Sequence, residues 1–214
     1  MSLPCIEVAE APSTEALLAS PKDKSLVQPA LDLLKNSKGI VKIYYGLQSE
    51  ERKHCYVYNI WERLQDHENL QADAVNYPIL QQHCSNVMAS ASDMILLSEI
   101  HIQPAAEPYK ALSAPTTELG FITIKPGVSK ATVEAKTKEL VANANKLPAE
   151  WGVISAVWGR VVEKDDTLAL VIGWTSVEQH WKTVSTVPEV VAQLDDMRKV
   201  ADIALTHSEL SEWH

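Results

Sequence analysis

The sequence predicts an α+β chain made of two tandem units, each with the element order β-α-β-β-α-β. Three observations predict it. The chain matches itself at an offset of 113 residues; the segments around that match read alike in both copies; and a proline-rich stretch lies between them. A chain of 214 residues, 46% hydrophobic and 22% charged, admits one large domain or two of half that size. The self-match decides for two: a first unit over 1–102, a linker over 103–116 and a second unit over 117–214.

The match is ungapped over 29 positions. Gly39-Ile-Val-Lys-Ile-Tyr-Tyr-Gly46 lies over Gly152-Val-Ile-Ser-Ala-Val-Trp-Gly159, and Cys55–Trp61 lies over Leu168–Trp174. Its five identities are the two glycine pairs, Glu50/Glu163, Trp61/Trp174 and His67/His180. They fall at strand ends and at a helix start.

Each unit opens with a strand, Cys5–Ala9 or Leu119–Lys125. A helix follows, where Leu26, Ala30, Leu33 and Leu34, or Val133, Lys136, Leu140 and Ala144, keep the 3.6-residue period. The glycine-bounded runs are the second strands. The polar turns Gln48–Lys53 and Glu163–Thr167 are short enough to join only antiparallel neighbours, and each third strand ends at its tryptophan. A second helix starts at Thr175 or Ser176, with Thr175-Ser-Val-Glu178 as a capping box. Last strands are expected at Ile95–Ile102 and Ile203–Leu210. Pro104, Pro108 and Pro115 mark Gln103–Thr116 as linker.

Such a ferredoxin-like unit has helices on one sheet face only, so the other face needs a cover. Two units in one chain can press their bare faces together. Tandem units with Trp174-Thr-Ser176-Val-Glu178-Gln-His180 resemble the dimeric α/β-barrel superfamily, which includes antibiotic-biosynthesis monooxygenases, stress-responsive A/B-barrel proteins and plant polyketide cyclases. That resemblance implies a barrel built within one chain, so a monomer suffices.

Formal charge is −9, from 28 acidic and 19 basic residues, with a sequence pI near 5.2. Both halves are acidic and no Lys/Arg cluster interrupts them, so nucleic acid is not an expected partner. No signal-peptide core and no bilayer-length apolar run occurs, which gives cytoplasmic residence and no membrane partner as expectations. Cys5, Cys55 and Cys84 have neither disulfide-framework nor zinc spacing.

Tyrosines all precede residue 110, whereas five of six tryptophans follow it. A phenol can donate to a carbonyl or to an enolate as well as fill space. Asn59 stands on the third strand where the other copy has Ile172, so it is either hydrogen-bonded structure or part of a pocket. His67 and His180 each follow the strand-ending tryptophan by six residues. Repetition favours a shared structural role, such as a bond to nearby backbone. The functional alternative is a general base, since imidazole titrates near neutrality. Trp61 reads first as packing.

The plant cyclases carry Tyr-x-x-His-Pro-x-His on their second helix, and Tyr77-Pro-Ile-Leu-Gln-Gln-His83 keeps the outer pair while Leu80 and Gln81 replace the inner His-Pro. The resemblance implies Tyr77 and His83 as groups that bind and deprotonate a substrate. Glu99-Ile-His101 and His207-Ser-Glu209 each put a carboxylate and an imidazole on one strand face, with solvated charges as the simpler reading.

These residues predict a cofactor-independent enzyme acting on a small hydrophobic or aromatic carbonyl compound, of cyclase, lyase or monooxygenase type. His83 or His67 is the base and Tyr77 assists it. Tyr44, Tyr56, Tyr58, Asn59 and Trp61 bind substrate in a cleft of the first unit. No metal is expected: H-E-x-x-H, H-x-H and C-x-x-C are all missing. The alternatives are a non-catalytic stress-responsive ligand-binding or scaffold protein and, ranked lower, a haem protein.

Overall fold

A computed structural model describes residues 3–89 and 98–213. The chain divides into two compact units, residues 1–102 with 211–214 and residues 103–210.

Unit 1 has strands β1 (Cys5–Pro12), β2 (Ile40–Gln48), β3 (His54–Trp61) and β4 (Ser98–Pro104). They pair antiparallel in the order β2-β3-β1-β4. Helices α1 (Glu15–Ala19), α2 (Lys24–Lys35), α3 (Leu64–Gln71) and α4 (Asn76–Cys84) fill the connections. Residues 95–97 of the expected last strand lie outside the described residues.

Unit 2 repeats the plan with β5 (Thr116–Ile124), β6 (Val153–Val161), β7 (Thr167–Trp174) and β8 (Ala201–Trp213), in the order β6-β7-β5-β8. Its helices are α6 (Lys130–Ala144), α7 (Val177–Thr186) and α8 (Pro188–Arg198). Within Gln103–Thr116 the chain makes a helical turn, α5 (Tyr109–Leu112), whose Ala111 and Leu112 are buried. The segment is packed because Ala111 lies against Gly173 of β7, where a Cβ would come within 2.9 Å of the Ala111 backbone.

In each unit the helices cover one sheet face, and an apolar core fills the gap. Val27, Ala30, Leu31 and Leu34 of α2 are buried, a stripe turned slightly from the expected one, with Leu26 and Leu33 at its margin. In α6 the buried stripe is Val133, Thr137, Leu140 and Val141, whereas Lys136 reaches out toward Asp196.

The second helical segment of both units is broken in two. In unit 2 the cause is Pro188: the residue before a proline is pushed out of the helical region, and Val187 has ψ 112°. In unit 1 the Asp73 carboxylate accepts from the Val75 and Asn76 backbone N–H groups and restarts the chain as α4. The cap of α7 falls one residue later than the sequence suggests. Ser176 Oγ accepts from Gln179 N at 3.1 Å, so Ser176 is the cap, while the Gln179 side chain donates to Thr183 Oγ1 at 3.3 Å.

Gly39 and Gly152, the repeated glycines before β2 and β6, have φ of +84° and +77°. A Cβ would meet Asp66 at 2.5 Å in the first case and Gln179 at 2.3 Å in the second. Asp66 and Gln179 are themselves equivalent at the offset of 113. The repeat therefore preserves a close approach of strand entrance to helix, which only glycine permits.

Candidate active site

Beneath α3, unit 1 gathers four polar side chains inside its core. Glu7 sits on β1, the strand flanked by β3 and β4, directly opposite Asn59 on one side and His101 on the other. Trp61 ends β3, and His67 lies on α3, where a helix starting three residues after that tryptophan turns it back over the sheet. The Trp61 indole N–H donates to Glu7 Oε2 at 2.7 Å. His67 Nε2 lies 3.5 Å from the same oxygen, and His67 Nδ1 is 2.7 Å from His101 Nε2. All four are buried.

Unit 2 repeats the arrangement. The Trp174 indole N–H donates to Glu118 Oε2 at 2.8 Å, His180 Nε2 lies 3.5 Å from that oxygen, and His180 Nδ1 is 2.9 Å from His207 Nε2. The repeated histidines thus share an arrangement, each meeting a buried glutamate and a second buried imidazole. His101 and His207, expected as solvated strand charges, are instead buried in these chains.

Burial dominates the electrostatics. It raises the Glu7 carboxyl, against the hydrogen bonds from Trp61 and Asn59 and the charge of His101, which lower it. Glu118 is pushed up to about 7 by burial, with only the Trp174 bond opposing. Burial and then the charge of His207 bring His180 down to about 3. Both effects favour uncharged forms in a medium that solvates charge poorly.

In unit 2 the Glu118, His180 and His207 donor atoms lie within 4.8 Å of one another, and so do those of His67, Glu99 and His101 in unit 1. Two imidazoles and a carboxylate are a donor set suited to a divalent transition metal. However, His180 meets Glu118 and His207 through opposite ring nitrogens, and His67 meets Glu7 and His101 likewise. In each unit the two imidazoles are thus hydrogen-bonded to one another, with a carboxylate beside the outer nitrogen of the first.

A cavity opens beside each chain, about 60 Å³ in unit 1 and about 90 Å³ in unit 2. The two share eight equivalent positions. Glu7 and His67 in one correspond to Glu118 and His180 in the other, and Leu34 and Val57 to Leu147 and Leu170. The remaining matches differ in kind: Asn59, Tyr77, Gln81 and Glu99 in unit 1 face the places of Ile172, Val190, Leu194 and Leu205 in unit 2.

Four hydrogen-bonding side chains therefore surround the first chain where four hydrocarbons surround the second. Asn59 Oδ1 is buried with no partner among the described residues. Burial and then Glu99 raise the Tyr77 phenol, which keeps it a donor. Glu99 is raised by burial and by Glu7, and it accepts from Gln71 Nε2 at 2.7 Å.

The residues expected at the site divide accordingly. His67, Tyr77 and Asn59 line the unit 1 cavity, and Trp61 holds its carboxylate. His83 is half-buried on α4 and is not among the lining residues. Tyr44, Tyr56 and Tyr58 are buried but alternate with Ile43, Tyr45, Val57 and Asn59, so they occupy the sheet face away from the helices and this cavity. The expected cleft with its tyrosine walls is corrected on that ground: one strand face cannot carry both Asn59 and its neighbours Tyr58 and Tyr56.

Sequence reasoning missed Glu7 and Glu118. The signal was a lone carboxylate in the middle of an apolar strand, Cys5-Ile-Glu-Val-Ala9 and Thr116-Thr-Glu-Leu-Gly120, but the two are 111 residues apart and fall out of the ungapped register. His101 and His207, 106 apart, fall out of it for the same reason. A larger open groove of about 500 Å³ between α2, α3 and α4 contains none of these groups. Its Asp66 is paired with Arg63 and its Asp73 caps α4.

Two β-α-β-β-α-β units in series, each with a buried Glu-Trp-His-His set, make up this α+β chain, and solved structures share its fold along nearly the whole length. A proposed monooxygenase of Fusobacterium nucleatum superposes with a TM-score of 0.68 at 9% identity, covering 99% of this chain and 94% of its own. A proposed monooxygenase of Lactobacillus acidophilus gives 0.61 at 11%, covering 99% and 96%. An anthrone oxidase-like protein gives 0.63 at 10%, covering 97% and 91%. At such identities the likeness is one of fold. No family model and no curated protein matches the sequence.

Proposed function

We propose that this chain is a cofactor-independent enzyme of the monooxygenase, cyclase or lyase type, acting on a small aromatic carbonyl compound in unit 1. One observation carries the reading: the same buried Glu, His and His arrangement occurs twice, and at four equivalent positions the unit 1 cavity has the hydrogen-bonding side chains Asn59, Tyr77, Gln81 and Glu99 where the unit 2 cavity has Ile172, Val190, Leu194 and Leu205. His67 is the base. Its Nε2 takes a proton from carbon α to the carbonyl, and its Nδ1–H donates to His101 Nε2, which spreads the resulting charge over both imidazoles. The Tyr77 phenol donates to the enolate oxygen, and Asn59 Oδ1 accepts from a substrate hydroxyl. A cavity of about 60 Å³ takes the reacting end of such a molecule and leaves the rest toward solvent. The names of the fold neighbours, two monooxygenases and an anthrone oxidase-like protein, agree with this class. The proposal takes the two units as partners within one chain, so that the protein works as a monomer in the cytoplasm.

The test is oxygen uptake and product absorbance with a panel of anthrones, naphthols and aryl ketones. His67→Ala is expected to lower turnover about 10²–10⁴-fold, the usual worth of a general base. Unchanged turnover would remove His67 from the mechanism. Saturable binding of the panel without turnover would favour the non-catalytic ligand-binding reading, and a Soret band on the purified protein would favour the haem reading.

A further inference from the structure

We propose that unit 2 holds a second binding site, which takes small uncharged apolar molecules about the size of one benzene ring and seats them between Trp181 and the β5–β7–β8 face. Its cavity is the larger of the pair, about 90 Å³. Of its lining residues, Leu140, Leu170, Ile172, Val190, Leu194 and Leu205 present only hydrocarbon. Apolar cavities of the order of 150 Å³ bind benzene, and this smaller one is open beside the half-exposed Trp181.

Trp181 stands at that mouth. It is 50% exposed and lines the cavity, and its ring centroid is 4.6 Å from that of His180. The equivalent residue in unit 1 is the exposed Glu68. A half-exposed indole beside an apolar cavity offers a stacking face for an aromatic ring. Charge is excluded from both signs of ligand. Glu118, at the floor, is a carboxyl acceptor whose Oε2 is already taken by the Trp174 indole, so it offers an anion no partner. Arg198, also lining the cavity, is paired with Asp195 at 3.0 Å. A cation would shed its water into hydrocarbon to reach a carboxylate that is only 4% exposed.

This inference concerns binding alone and does not depend on turnover in unit 1. The experiment is titration of the full chain with fluorobenzene, followed by methyl NMR. Saturable shifts are expected at Leu170, Val190, Leu194 and Leu205, with Leu34, Val57 and Leu80 of unit 1 unmoved. Val190→Tyr, which installs the unit 1 residue, fills the cavity and is expected to abolish the shifts while leaving the amide spectrum folded. Should that variant misfold, Trp181→Ala, which removes a half-exposed side chain, is expected to weaken binding. Three results overturn the proposal: no saturable shifts, shifts confined to unit 1, or binding of 4-fluorobenzoate or 4-fluorobenzylammonium as tight as that of fluorobenzene.

Discussion

Replacing Glu118 by Gln should stabilise this protein above neutral pH. The carboxyl is buried and its pKa is pushed from 4.5 up to about 7. A carboxyl raised in the folded state costs nothing below its unfolded pKa, where both states are protonated. The cost grows as pH rises from about 4.5 through 7 and is constant above that. At about 1.4 kcal/mol per unit, the full penalty is of the order of 3 kcal/mol. Gln keeps an oxygen for the Trp174 N–H and carries no charge at any pH. Urea unfolding of Glu118→Gln and the natural chain at pH 8 and pH 4.5 measures the difference. The variant is expected to gain up to about 3 kcal/mol at pH 8 and nearly nothing at pH 4.5. Equal or lower stability of the variant at pH 8 would refute the reasoning, because it would mean that the imidazoles of His180 and His207 compensate the carboxylate in place.

Other outcomes follow from the same geometry. His180, held down to about 3, contributes stability that is complete above pH 6.5 and is lost as pH falls toward 3, so acid unfolding of His180→Phe should be shallower through that window. Trp61→Phe leaves Glu7 without its 2.7 Å indole donor and should cost about 1–3 kcal/mol in urea unfolding. Gly152→Ala meets both a φ of +77° and a contact of 2.3 Å, whereas Gly127→Ala meets a φ of +82° with open space around it; thermal melts should show Gly152→Ala the more damaging. Gly127→Ala alone should cost about 1–2 kcal/mol. The thiols of Cys55 and Cys84 are pushed up to about 12 by burial, so iodoacetamide at pH 8 should label them only after unfolding.

Legibility differed between fold and site for a physical reason. Periodicity, glycine and proline are local signals. The self-match therefore located β2, β3, β6 and β7 nearly to the residue, whereas the break at Pro188, within what the sequence predicts as one helix, is seen only in the structure. The stripes of α2 and α6 were read a residue off because a helix's buried face is chosen by the sheet beneath it. His67, Tyr77 and Asn59 were identifiable by type and position, yet His83, at a spacing borrowed from a resemblance, lies outside the cavity that Tyr77 lines.

The sequence by itself determined the self-match at an offset of 113, the order of the elements around it, and the glycines that let each second strand start against a helix. Only the tertiary structure decided which polar groups meet. Glu7 reaches Asn59 and His101 through strand pairing across separations of 52 and 94 residues, and Glu118 reaches His207 in the same way across 89. Register between strands is set by packing over the whole sheet, and it absorbs the differing offsets that hide these pairs from a comparison of the chain with itself. It also decided that four positions of the cavity are hydrogen-bonding in one copy and hydrocarbon in the other, since that contrast exists only when Glu99 and Leu205, or Tyr77 and Val190, are brought to the same place by the fold.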